Sequence, residues 1–223
     1  MNTLPALALV LSGTFLAIAV AVLLWAELKL SRLGVWLVKP IASTLFVITA
    51  LLAGAPASSY GRLILLGLLF SWLGDVFLIP KRPLFFIAGL GSFLLAHVAF
   101  SGAFLLQGQA VLPLALAAAA MVVVAIIVLR WLWPHLPHNF RPAVVSYLGA
   151  ISLMVVLASG TMAATGLQLV IGAVMFAASD IFVARDRFVS PSVANRLWGL
   201  PLYYAAQLIF ALSAQVPLMA GAN

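Results

Sequence analysis

Apolar residues run along this chain in stretches of about twenty, separated by short groups of Pro, Gly and charged residues. The stretches lie near 5–26, 34–53, 62–80, 84–106, 111–130, 143–160, 166–184 and 197–219. Each has the length of a helix crossing a hydrocarbon core of about 30 Å, which takes about 20 residues. The runs are continuous and lack the period-two alternation of barrel strands. The links, such as "AGAPASSYG", "PKRP" and "WPHLPHNFRP", carry turn-forming residues and are too short for a soluble domain. The pattern predicts an all-α integral membrane protein, one transmembrane domain over 1–223 built as a bundle of about eight helices. The first stretch has no basic leading segment and exceeds a signal-peptide core, so it is expected to stay as a helix.

Composition agrees with the pattern: hydrophobic residues make up 66% and charged residues 7%, with a mean hydropathy of +1.26, against about 45–50% and 25% in a soluble domain. Charge adds the orientation. Lys29 and Arg32 follow the first helix, Lys81 and Arg82 the third, Arg130 and Arg141 flank the fifth link, and Arg185, Arg187 and Arg196 belong to the seventh, whereas the even links hold only Arg62. By the positive-inside rule the odd links are cytoplasmic and both termini face outward, with a bacterial inner membrane the expected setting. The net charge of +7 is then a topology signal that requires no nucleic-acid partner. These cations are read as interfacial anchors, some in contact with anionic headgroups. The chain has no Cys, which excludes disulfides and thiolate chemistry.

Against this background the aspartates stand out. Asp75 lies in "SWLGDVFLIP" at 71–80, inside an apolar run, and a carboxylate within a membrane helix costs at least about 2.5 kcal/mol to insert, so it signals function. It has a counterpart: "GDVFL" at 74–78 recurs as "SDIFV" at 179–183, placing Asp180 in the seventh helix. The third and seventh helices are four places apart in order, so both run in the same direction. Each aspartate is expected about five residues, roughly 7 Å, from the cytoplasmic helix end. Two four-helix halves related by an axis along the membrane normal, as in parallel transporter repeats, would bring the two carboxylates face to face.

Further polar groups fall near that level. Lys39 precedes Pro40 in the second helix, and Tyr203, Tyr204 and Gln207 enter the eighth from the same side. Ser71 is one turn before Asp75, and Ser179 adjoins Asp180. Each also has a plainer reading. Lys39 can snorkel to the interface, Tyr203 can join an aromatic belt, and the serines can serve helix packing. Their convergence favours a site. His97, in "FLLAHVAF", is expected about 20 Å from the cytoplasmic end of its helix, deeper than either aspartate, either lining the inner end of the same cavity or bonding another helix. His135 and His138 do not supply the three or four ligands of a zinc site, and no motif supports a His97, His135, Asp75 set. No metal or cofactor is expected.

Taken in order, "KP" at 39–40, "FSWLGDVFL" at 70–78, "FFIAGLGSFLLAHVAF" at 85–100, "GAVMFAASD" at 172–180 and "YYAAQ" at 203–207 resemble the YhhN-like lysoplasmalogenase family of membrane proteins, over most of the chain. The resemblance implies an eight-helix membrane enzyme hydrolysing the vinyl ether bond of lysoplasmalogens to a fatty aldehyde and a glycerophospho-alcohol. It also implies that Asp75 and Asp180 occupy the family's two acidic positions. Phe100 stands where members often have tyrosine, a departure that removes a hydroxyl there.

That chemistry suits the residues. A vinyl ether hydrolyses by protonation of its β-carbon, giving an oxocarbenium ion that water captures, so the reaction needs a proton donor, a water-activating base and a setting that tolerates cation. Two carboxyl groups in a low-dielectric site, one protonated and one ionised, provide the acid and the base. Lys39, with Arg185, Arg187 or Arg196 at the rim, is the expected holder of the substrate phosphate. The partners expected are the lysophospholipid and the bilayer. The competing reading is a proton-coupled carrier of a small amphiphile using the same carboxylates.

Overall fold

The computed structural model describes residues 3–80 and 82–215, all helix and short links. The helices are α1 (Thr3–Leu28), α2 (Arg32–Leu52), α3 (Ser59–Leu78), α4 (Pro83–Leu105), α5 (Val111–Leu132), α6 (Arg141–Gly160), the single turn α7 (Met162–Thr165), α8 (Gln168–Ala184), which continues through a π turn at Arg185–Val189, and α9 (Val193–Ser213). Among the described residues, seven helices are long and apolar enough to cross a membrane. The last, α9, has the length but carries Asn195, Tyr203, Tyr204 and Gln207 on its buried face with Gly199, Ala206 and Phe210. Its polar residues point inward, so its low overall hydropathy reflects what it shelters. The part of the expected eighth stretch beyond 215 lies outside the described residues.

Serines start three of the helices. Ser31, Ser58 and Ser192 accept from the backbone N–H of Gly34, Gly61 and Ala194 at 3.2, 2.9 and 3.2 Å, supplying partners that the first turn of a helix otherwise lacks. Pro83 opens α4, where its missing N–H costs nothing. Small residues then set which helices approach. On α3, Gly67 lies under the ring of Phe100 and Gly74 under the ring of Phe93, while Gly172 of α8 receives Phe210 of α9. Lipid tails are as apolar as Leu, so helices in a bilayer associate through close packing of this kind. The outer faces of Leu, Ile and Val are exposed, most fully on α5, which buries only Leu132 and packs against α6.

The neighbour relations recur in the two halves. In the first, α1 packs on α2, α2 on α3 and α3 on α4; in the second, α5 packs on α6, α6 on α8 and α8 on α9. Across the halves, α2 meets α9 and α6 meets α4. These neighbour relations are those of two four-helix halves, but the carboxylates do not come face to face as the repeated motif predicts: Asp75 and Asp180 have separate partners, Lys39 and His97. In addition, α9 packs on α1 and α3. The α1 contact is fastened at its end by Arg196, whose Nε lies 2.7 Å from Glu27 Oε2.

Candidate functional site

The two aspartates sit in comparable frames built from opposite halves. Asp75 on α3 is met from α2 by Lys39, with Nζ 3.1 Å from Oδ1, and by Ser43, whose hydroxyl lies 2.6 Å from Oδ2. From α9 the Tyr203 hydroxyl donates to Oδ2 at 2.6 Å. Tyr204 completes the group, its hydroxyl 3.1 Å from Ser43 Oγ. Lys39 therefore turns inward to a carboxylate. Its side chain is 11% exposed and that of Asp75 3%, so the pair is shielded from solvent, where an ion pair endures only with further hydrogen bonds. Ser43 and Tyr203 supply them.

Asp180 on α8 faces His97 from α4, with Nε2 3.3 Å from Oδ2. Nδ1 of the same ring is 2.6 Å from the carbonyl oxygen of Phe93, one turn earlier. Tyr147 of α6 stands edge-on to the imidazole at 5.2 Å between ring centroids, its hydroxyl facing Asp180. The two frames correspond: each carboxylate is met by a side chain from the second helix of its own half, Ser43 or Tyr147, and by one from the fourth helix of the other half, Tyr203 or His97. Sequence separations agree, with 32 residues from Ser43 to Asp75 and 33 from Tyr147 to Asp180.

An aromatic cluster fills the space between. The Tyr203 ring packs edge-on to Phe93 at 5.7 Å and to Phe176 at 5.5 Å, and Phe176 lies 4.5 Å from the His97 ring. Phe46 packs against both tyrosines at 6.3 and 6.2 Å. Aromatic faces carry negative charge density and attract a cation placed against them. The site thus combines two carboxylates of different setting with a wall suited to developing positive charge.

His97 and Asp180 were expected at different depths and prove to be neighbours. The residues after Ala184 continue as a π turn to Val189, so Asp180 lies nine residues, about 13 Å, from that end. Asp75 is nearer the rim. Its neighbour Gly74 lies against Phe93, one turn before His97, so the two acids differ by about one helical turn, roughly 5 Å.

Of the other expected site residues, Ser71 is fully buried with its hydroxyl unpartnered, while its carbonyl accepts from Tyr203 at 3.4 Å. Gln207, one turn beyond Tyr203, is fully buried with neither amide atom hydrogen-bonded. Such orphaned groups are rare in a packed interior. Ser179 bonds the Phe176 carbonyl of its own helix at 2.8 Å and serves the backbone there. At the rim, Arg196 joins Glu27 and Asp186, and Arg185 holds Asn195 at 2.6 Å. Arg187 lies over the Phe86 ring at 4.3 Å. His135 and His138 stay in the α5–α6 link, beside the Trp131 carbonyl and Arg141. Phe100 packs on Phe176 and Phe210 in the core.

Ser43 and Tyr147 were not anticipated. Ser43 follows Lys39 by one turn, as Asp75 follows Ser71. Tyr147 precedes Asp180 by one residue more than the interval that relates Ser43 to Asp75, a signal visible only once the repeat is extended beyond the aspartates.

Comparison with known proteins gives a consistent grouping. Residues 34–214 match the model of the YhhN family. The chain is similar to lysoplasmalogenase TMEM86A of Bos taurus, 31% identical over 86% of this chain and 73% of the relative. It is also similar to a lysoplasmalogenase of Mycobacterium bovis, 34% identical over 79% and 70%, and to lysoplasmalogenase TMEM86B of Sus scrofa, 32% identical over 91% and 85%. No solved structure matches.

Proposed function

Because the chain belongs to the YhhN family, we propose that it is a membrane hydrolase that cleaves the vinyl ether bond of lysoplasmalogens, with Asp75 and Asp180 as its general acid and base. The observation that carries this reading is the pair of buried carboxylates, each with its own basic partner, Lys39 or His97, either side of one aromatic cluster. Vinyl ether hydrolysis needs no nucleophilic side chain. It needs a proton delivered to carbon, a base for the water that follows and surroundings that accept an oxocarbenium ion. General acid–base groups contribute about 10²–10⁴-fold each.

The rest of the site fits a single-chain lipid. Its tail stays in the bilayer and its headgroup at the interface, which puts the reacting bond a short way below the rim. The unpartnered Gln207 amide and Ser71 hydroxyl suit the ether and glycerol oxygens. For the phosphate, Arg187 is favoured over Arg196, which pairs with Glu27 and Asp186, and over Arg185, whose guanidinium is held by Asn195. In this proposal Lys39 acts chiefly on Asp75. The odd-numbered links, and with them the site mouth, face the cytoplasm of a bacterial inner membrane, as the charge bias favours.

Purified protein incubated with a vinyl ether lysophospholipid and its ester and alkyl ether analogues is expected to release aldehyde from the first alone. Asp75→Asn and Asp180→Asn should each lower kcat by about 10²–10⁴ with helical content retained. Near-normal rates in either would remove that residue from the mechanism. Pro40 and Pro201 interrupt α2 and α9 beside the site, the feature that a carrier would use; a carrier releases no aldehyde.

A further inference from the structure

The two carboxylates differ in which of them has room for a proton. Asp75 receives three donors: the Lys39 ammonium on Oδ1, and the Ser43 and Tyr203 hydroxyls on Oδ2. A carboxyl group that accepts from three donors, one of them a cation, is in its ionised form. Tyr204 extends the same polarity, since its hydroxyl can donate to Ser43 while Ser43 donates to Asp75.

Asp180 is the opposite case. His97 Nδ1, 2.6 Å from the Phe93 carbonyl, must carry hydrogen, because a carbonyl only accepts. In a neutral imidazole Nε2 is then a bare lone pair, facing Asp180 Oδ2 at 3.3 Å. Both atoms are buried and neither has a hydrogen-bond partner among the described residues. Two acceptors held against each other away from water are strongly unfavourable. A single proton between them, on oxygen or on nitrogen, resolves the contact. Among the described residues, the other titratable groups facing the pair are phenols, Tyr147 from α6 and Tyr203 from α9, so no second cation there competes for Asp180.

We infer that the proton transferred to substrate carbon resides on the Asp180–His97 pair, that Asp75 is the resident carboxylate, and that Tyr147 positions the pair. This rests on the hydrolase reading and assigns its two roles. The pair's proton forms the new C–H bond with the vinyl π electrons, leaving an oxocarbenium ion against the Phe93, Phe176 and Tyr203 rings and the pair deprotonated. Water adds to the oxocarbenium carbon, the one bonded to the ether oxygen, and gives a proton to Asp75. The hemiacetal then breaks its bond to the glycerol oxygen, which takes the proton from Asp75, while the hemiacetal hydroxyl proton returns to the pair. Vinyl ether and water become aldehyde and alcohol, and both carboxyl groups end as they began.

The test uses nitrogen-15 NMR of histidine-labelled protein in nanodiscs, with the exposed His135 and His138 replaced by Asn so that one ring reports. His97 is expected to be protonated at Nδ1, with an Nε2 signal that moves in Asp180→Asn and stays in place in Asp75→Asn. A neutral ring carrying hydrogen on Nε2, or an equal response to both variants, overturns the assignment. This readout needs no turnover, so it decides the proton's location even if the wild-type protein releases no aldehyde, a result that would instead defeat the hydrolase reading. With active enzyme, residual hydrolysis in Asp180→Asn should rise tenfold per unit fall in pH, hydronium replacing the lost donor, while that of Asp75→Asn should level off at low pH; the reverse pattern overturns the assignment. Tyr147→Phe should lower kcat about tenfold with KM within twofold and shift the pH profile. Unchanged kcat removes Tyr147 from the proposal.

Discussion

A single hydroxyl in this site carries more than its size suggests. Tyr203 packs its ring into the aromatic cluster and gives its hydrogen to Asp75 at 2.6 Å. Tyr203→Phe keeps the packing and deletes the donor. Hydrogen bonds to charged groups contribute about 1.5–3 kcal/mol, so the loss should appear as a fall in kcat of roughly 10–100-fold, with a smaller decrease in thermal stability than any truncation of the ring; an unchanged kcat would show that the hydroxyl is not coupled to the reaction. The sequence identified the two aspartates by the cost of burying their charge, and Lys39, His97, Ser71, Ser179, Tyr203, Tyr204 and Gln207 by their convergence with them. Ser43 and Tyr147 escaped because a serine or tyrosine in a membrane helix is ordinary, and only the geometry of a partner distinguishes it.

At the level of helices, α3 carries Asp75 and relies on glycine for its fit. A Cβ at Gly74 would come 2.6 Å from the Phe93 ring, whereas one at Gly91 meets nothing within 4 Å. Gly74→Ala must therefore displace Phe93, and with it the carbonyl that fixes His97 and the ring beside Tyr203. Overpacking of this kind typically costs 1–3 kcal/mol. Gly74→Ala should lower both the melting temperature and kcat, while Gly91→Ala, measured in parallel, should leave both near wild type; equal effects would mean that the α3–α4 contact is looser than its geometry indicates. The helices themselves were plain from runs of apolar residues and from Pro, Gly and Ser at their ends. Their limits were less so. The residues after Ala184 read as a charged link and fold as a π turn, because Asp186 accepts from the Ser192 N–H at 2.8 Å and from Asn195 at 3.1 Å and ties the segment onto α9. That continuation brought Asp180 to the level of His97, a register that no local pattern encodes.

For the whole molecule, the repeated half is the organising fact, and the short "GDVFL"/"SDIFV" match was enough to anticipate it. It follows that links of the same parity share one side of the membrane. The absence of Cys makes this simple to measure: Asn139→Cys, in an odd link, should react only with membrane-permeant thiol reagents in intact cells, and Gly108→Cys, in an even link, should also react with impermeant ones. Reversed labelling would invert the orientation. Neither property depends on the chemistry of the site.

The shielding of the carboxylates has its own consequence. Asp75 is 3% exposed and Asp180 11% at the side chain, with rings packed between them, so a lipid tail reaches them only when neighbouring helices part. Pro40 and Pro201, each depriving its helix of one backbone hydrogen bond, are natural points for such a parting. Acyl chains around the protein must yield for this to happen, and turnover is therefore expected to slow in gel-phase or cholesterol-stiffened vesicles and quicken in fluid ones, in a way that detergent micelles would not reproduce. The surrounding membrane would then be a working part of the enzyme.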